Sequence, residues 1–144
     1  MNPQKIRGFA AYVLPAILYA LLIYFISSLS TPPAPTYAVE WGDKINHTGA
    51  FGLMMLFGFR AFRWLMPSRP IAAPIIAALL FCCFYGASDE YHQSFVPNRT
   101  ADVMDWVADS TGAILATIFI LATIRTRAGR LLFGPPRRID PTIR

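Results

Sequence analysis

Residues 9–29, FAAYVLPAILYALLIYFISSL, run 21 positions without a charge and follow Lys5 and Arg7. About 20 apolar residues in a helix cross the hydrocarbon core of a bilayer, so this stretch predicts a membrane-spanning helix, with Pro15 inside it. It is longer than a usual signal-peptide core and no clear small-residue cleavage site follows, so a retained span is expected. Pro32, Pro33 and Pro35 come next. Proline fixes φ and removes a backbone donor, which makes residues 31–36 an extended loop.

Three further stretches repeat the pattern, at about residues 44–66, 71–88 and 103–124. The first of these is the most interrupted, because His47 and Arg60 leave only 12 uncharged residues between them. Arg60 and Arg63 can snorkel toward headgroups, and Trp64 suits that interface. Pro74 falls in the first turn of its segment, where it is tolerated. Arg125, Arg127 and Arg130 stop the last segment. Short polar links join all four, as in an antiparallel bundle. The predicted fold is therefore an all-α integral membrane bundle of four transmembrane helices over residues 1–125. A basic tail, residues 126–144, is expected to be disordered and drawn to anionic lipid.

Composition agrees with this reading. With 55% hydrophobic residues, 15% charged and a mean hydropathy of +0.43, a chain of 144 residues is too apolar to hide its surface in one soluble core. The net charge of +5 does not point to nucleic acid, because the basic residues flank hydrophobic runs instead of lining a soluble face. Cys82 and Cys83 are neighbours in an apolar run, so neither a disulfide framework nor a zinc site is expected from them.

Placing the N-terminus inside the cell puts 11 of the 13 basic residues on the cytoplasmic side, leaving Lys44 and Arg99 outside. Seven of the 8 acidic residues then lie outside, and Asp140 alone within. The positive-inside rule thus predicts an N-in, C-in topology in a bacterial plasma (inner) membrane. Trp41, Tyr85, Tyr91 and Trp106 would mark the outer interface.

In this arrangement three helix ends bring polar groups to one surface. The second helix opens with Asp43, Lys44 and His47, where a spacing of four puts Asp43 and His47 on one face. The third ends in Asp89, Glu90, His92 and Gln93, and the loop after it carries Arg99. The fourth opens with Asp102, Asp105 and Asp109 along one stripe. Asp102 and Asp105 are explained by capping and the helix macrodipole. Asp109 lies on the order of 10 Å deeper, beside Gly112, Ala113 and Ala116, and an ionised carboxylate there needs a partner. Lys44, His47, His92 and Arg99 are the candidates. Gly49, Gly52 and Gly58 on the second helix are expected to serve close packing.

Two readings stay open at this point. One is a polar clamp tying three helix ends together. The other is an acidic site at the outer face, with carboxylates in excess of fixed cations, open to a cationic or amphiphilic ligand. Within the second, Asp43, His47, Asp105 and Asp109 form a candidate divalent-metal set, since oxygen and imidazole donors suit magnesium, manganese or zinc. No familiar catalytic motif is present, and whether a reaction is catalysed is left open. A channel fits poorly, because charges cluster at helix ends and not near the midplane of the first or third segment.

The chain resembles the VanZ-like family. The resemblance rests on Asp43-Lys44-Ile45-Asn46-His47 and on the run from Asp89-Glu90-Tyr91-His92-Gln93 through Pro97-Asn98-Arg99-Thr100-Ala101-Asp102, continued by Asp105, Asp109 and Gly112. It covers about residues 8–125. Family members often carry glycine at the position of Asn98 and asparagine at that of Asp109, so this chain adds a carboxylate. The resemblance implies a cell-envelope membrane protein in a context of teicoplanin (glycopeptide) resistance, and it supplies no reaction. A membrane-embedded enzyme acting on a lipid-linked envelope precursor at the outer leaflet is the alternative, with Asp43 or Asp109 as base, His47 as acid or ligand, and Arg99 on a phosphate.

Overall fold

A computed structural model describes residues 2–31 and 41–134. Most of the expected proline loop, with Glu40, and the end of the tail, with Arg137, Arg138, Asp140 and Arg144, lie outside the described residues. Among those described, the secondary structure is helical throughout. Helix α1 is Pro3–Ser27, α2 Gly42–Leu65, α3 Ala72–Gln93, α4 Val103–Thr123 and α5 Arg127–Phe133. Three of these, α1, α3 and α4, are long and apolar enough to cross a membrane. Helix α2 has the length, but Asp43, Lys44, Arg60 and Arg63 interrupt its apolar course.

Within α1 the turn Phe9–Val13 widens to a π-helix, and the Leu14 N–H bonds to the Phe9 carbonyl. Pro15 is the physical cause. It has no N–H to give to residue 11, and its ring crowds that carbonyl, so the ladder opens just before it and reseats one residue out of step.

Side-chain contacts fix the helix directions. Arg60 lies over the Tyr12 ring at 5.5 Å, and the Tyr19 hydroxyl donates to the Ala50 carbonyl at 3.2 Å, so α1 and α2 are antiparallel. Tyr85 donates to the Ala20 carbonyl at 2.6 Å, while Ser28 Oγ stands 3.0 Å from His92 Nε2, which makes α1 and α3 parallel. Thr48 donates to the Ala108 carbonyl at 3.3 Å and Lys44 reaches Asp102, so α2 and α4 run side by side in the same direction. The end of the bundle formed by the α1 and α3 C-termini and the α2 and α4 N-termini is thus the polar end. Lys5, Arg7, Arg60, Arg63, Arg69, Arg125, Arg127 and Arg130 belong to the opposite end.

The core is built chiefly by α2, whose Phe51, Met54, Met55 and Phe59 pack against Ile75, Ala78 and Cys82 of α3 and Ala113 and Ile120 of α4. Leu18, Leu21, Leu22 and Phe25 of α1 remain exposed, an outer face matched to lipid. Both cysteines are free thiols. Cys82 is wholly buried and Cys83 sits 3.8 Å from Ser110 Oγ.

Residues Arg127–Phe133 of the basic tail form the short helix α5. Thr126 caps that helix by accepting from the Gly129 N–H at 3.0 Å, and Phe133 is buried against Phe59 and Phe119. Burial of an aromatic ring outweighs the ordering cost that a basic segment alone would not recover.

Close approach of α2 and α4 depends on two glycines. Gly52 faces the Gly112 backbone at 3.4 Å from its Cβ position, and a Cβ on Gly112 would collide with the Thr48 carbonyl oxygen. That oxygen belongs to a helix backbone and cannot swing aside as a flexible side chain could. Gly112→Ala is therefore expected to lower stability by about 1–3 kcal/mol, typical of overpacking. Thermal unfolding of the detergent-purified variant followed by circular dichroism checks this; an unshifted midpoint would mean the two helices are not packed this closely.

Candidate functional site

The polar end is assembled from the α2–α4 contact outward. Asp43 and Lys44 occupy the first turn of α2, and Asp102 caps α4 by accepting from the Met104 N–H at 2.8 Å. Side-by-side packing of these two starts places Lys44 Nζ 2.6 Å from Asp102 Oδ2 and 2.5 Å from Asp105 Oδ1, with Asp43 Oδ2 at 3.9 Å. One ammonium answers three carboxylates. One turn further along both helices, His47 Nδ1 pairs with Asp109 Oδ1 at 2.9 Å, and Nε2 stands 3.9 Å from Asp105 Oδ1. The imidazole is thus set between two carboxylates. Asp109 is fully buried, and its Oδ2 has no hydrogen-bond partner among the described residues.

Helix α3 supplies the third wall. Its Glu90 Oε2 accepts from the Asp102 N–H at 2.8 Å, which joins the end of α3 to the start of α4. Glu90 Oε1 is buried without a hydrogen-bond partner among the described residues. One turn earlier, Gly86 lies over Asp109, and a Cβ there would stand 2.8 Å from Oδ2. Only a residue without a side chain leaves the carboxylate that room.

The remaining sequence-derived candidates fall elsewhere. Asp89 and Gln93 are buried together, with Gln93 Nε2 donating to Asp89 Oδ2 at 3.0 Å, an i, i+4 pair within α3. His92 turns to α1, where it meets Ser28 and lies 4.7 Å from the Tyr24 ring. Arg99 makes no ion pair among the described residues, and its Nε is buried without a partner. His47 takes Asp109, not Asp43, as its hydrogen-bond partner. The expected four-residue metal set divides into two groups that share His47. One is Asp43, His47 and Asp105, and the other is His47, Glu90 and Asp109; within each, one ligand atom per residue lies within 4.8 Å of the others.

Sequence reasoning missed Gly86, Thr48 and Ser28. Gly86 precedes Glu90 by one helical turn, a spacing that signals a shared face, but nothing local says that the neighbour is Asp109. In the loop, Asn98 adopts φ 62°, a left-handed conformation that asparagine accepts far better than branched residues do.

Lys44, through its hydrogen bond, and then the Met104 N–H hold the Asp102 carboxyl below its ordinary range. A group whose folded pKa is depressed contributes stability above its unfolded value, about 3.9 for aspartate, and loses it as pH falls through the folded value. The thermal midpoint is therefore expected to drop in acid, with part of the drop absent in Asp102→Asn. A pH series of melts in detergent measures it; identical acid profiles would remove the Lys44–Asp102 link. Lys44→Met is expected to cost about 1–3 kcal/mol, since it leaves Asp105, with a side chain only 7% exposed, without its cation. Adding Asp105→Asn should recover part of that loss in the same melts, and strict additivity would contradict the pairing.

The fold and its polar end define a multi-pass, all-helical membrane protein with an acidic pole and a basic pole. The chain belongs to the VanZ/LLP1 family, whose profile matches residues 5–125. It is also similar to an uncharacterized protein, C11E3.10, of Schizosaccharomyces pombe, at 30% identity over 102 residues. That alignment covers 71% of this chain and 60% of the yeast protein, so the chain spans less than two thirds of that relative's length. No solved structure matches this chain.

Proposed function

We propose that this chain crosses the plasma membrane of a bacterial envelope four times, both termini inside, and that its acidic outer end binds a cationic amphiphile. The observation that carries this reading is the gathering of Asp43, Glu90, Asp102, Asp105 and Asp109 around a single lysine and a single histidine. Such an excess of negative charge at a water-facing helix end attracts cations and steers charged ligands toward it. The basic residues at the other pole support the orientation, with α2 as the fourth span and its arginines snorkelling inward. An apolar groove of about 570 Å³ between α1, α2 and α3, lined by Ile17, Leu21, Tyr24, Phe62 and Phe81 among others, offers a place for lipid or for an amphiphile's tail. The family resemblance adds the context, a link to teicoplanin resistance through ligand binding at the envelope.

A second reading, a membrane enzyme acting on a lipid-linked envelope precursor, is favoured by one observation. His47 is held between Asp109 and Asp105, an arrangement suited to passing a proton. Turnover of such a precursor that disappears in His47→Ala would select this reading over simple binding.

Binding is tested with the full chain in nanodiscs and a fluorescent alkyltrimethylammonium probe. Saturable binding is expected, weakened about tenfold by Asp105→Asn, equivalent to about 1.4 kcal/mol. Asp89→Asn, on the carboxylate already paired with Gln93, should change it little. Equal affinity in wild type and Asp105→Asn would end the proposal.

A further inference from the structure

The carboxylates of the polar end are served unequally. Lys44 reaches the outer three, Asp43, Asp102 and Asp105. The inner two, Glu90 and Asp109, are 7% and 0% exposed, and no lysine or arginine pairs with them among the described residues. Each has one oxygen engaged, Glu90 Oε2 by the Asp102 N–H and Asp109 Oδ1 by His47. The other oxygen of each is buried without a hydrogen-bond partner among the described residues. Buried carboxylate oxygens are normally satisfied, because desolvation without a compensating donor is costly. Two such oxygens beside one imidazole call for a cation.

We infer that His47, Glu90 and Asp109 bind a divalent first-row metal ion, Mn²⁺ or Zn²⁺. This deepens the reading of the polar end as a cation-binding site and rests on it. One ligand atom from each residue lies within 4.8 Å of the other two. Metal–nitrogen and metal–oxygen bonds of about 2.0–2.2 Å place ligands roughly 3–4.4 Å apart, so side-chain shifts of a few tenths of an ångström close the triad. A donor set of one imidazole and two carboxylates favours manganese or zinc over calcium and magnesium, which prefer oxygen throughout.

Three features separate this inner triad from the outer group of Asp43, His47 and Asp105. Lys44 already donates to Asp102 and Asp105 of the outer group and lies 3.9 Å from Asp43, so oxygens there have a partner before any ion arrives. The inner pair holds the unpartnered oxygens. Gly86 leaves Asp109 Oδ2 uncrowded where a Cβ would stand 2.8 Å away. A cavity of about 250 Å³, lined by Ala87, Glu90, Tyr91, Asp102 and Trp106, opens beside Glu90 between α3 and α4.

The test uses the full chain, stripped of metal, in nanodiscs, titrated with MnCl₂ or ZnCl₂ and analysed for bound metal after gel filtration. Wild type is expected to retain one ion per chain and to melt at a higher temperature when loaded. His47→Ala and Glu90→Gln should each weaken binding at least about tenfold, and Asp43→Asn, outside the triad, by less than either. A wild-type protein that retains no metal overturns the inference, whatever the variants do. Loss of metal in Asp43→Asn with retention in Glu90→Gln also overturns it, by giving the ion to the outer group. Should the alkyltrimethylammonium probe bind while metal does not, this inference falls and the proposed function stands; if neither binds, both fall.

Discussion

The parallel contact between α2 and α4 is the constraint on which the rest of the structure depends. Gly52 and Gly112 let the two backbones touch, and that closeness sets Lys44 against Asp102 and Asp105, then His47 against Asp109. In lipid, apolar side chains gain little by leaving one hydrocarbon environment for another, so close packing and polar pairing hold helices together. Here both are delivered by one seam. Helix α3 closes the polar end where Glu90 accepts from the Asp102 N–H at the N-cap of α4, and α1 lies along the outside through Tyr19 and Tyr85.

A buried charge is costly unless it is paired, which gives the depth of each carboxylate its meaning. Asp102 and Asp43 are partly solvated, so their link to Lys44 contributes modestly and responds to pH and salt. Asp105 and Asp109 are deeper and stay only because Lys44 and His47 come down to them from α2. The same seam therefore stabilises the fold and concentrates negative charge. The residues that clamp the helix ends leave one oxygen of Glu90 and one of Asp109 without a hydrogen-bond partner among the described residues.

Much of this was legible in the sequence, and the limits have physical causes. Apolar length announced α1, α3 and α4, while Asp102 followed by Asp105 announced the capped start of α4. The depth of Asp109 and its need for a partner followed from helical rise alone. Which partner it takes did not, because Asp43 sits four residues from His47 on the same helix and only the packing of α2 against α4 prefers Asp109. Asp89 and Gln93 satisfy each other within α3, and His92 finds Ser28 on α1, a helix with no polar pattern to advertise the contact. The α5 turn was hidden by its arginines, although Thr126 carried the signal of a cap and Phe133 that of a buried ring.

Distances between spin labels test the convergence of helix starts most directly. Labels at the exposed residues Ile45 and Val103 report on the tips of α2 and α4, and a pair at Ile45 and Ile71 spans the two ends of the bundle. The expected result in nanodiscs is a short distance for the first pair and one close to the length of α2, roughly 35 Å, for the second. A long distance between residues 45 and 103, with 45 and 71 close together, would contradict the shared polar end outright.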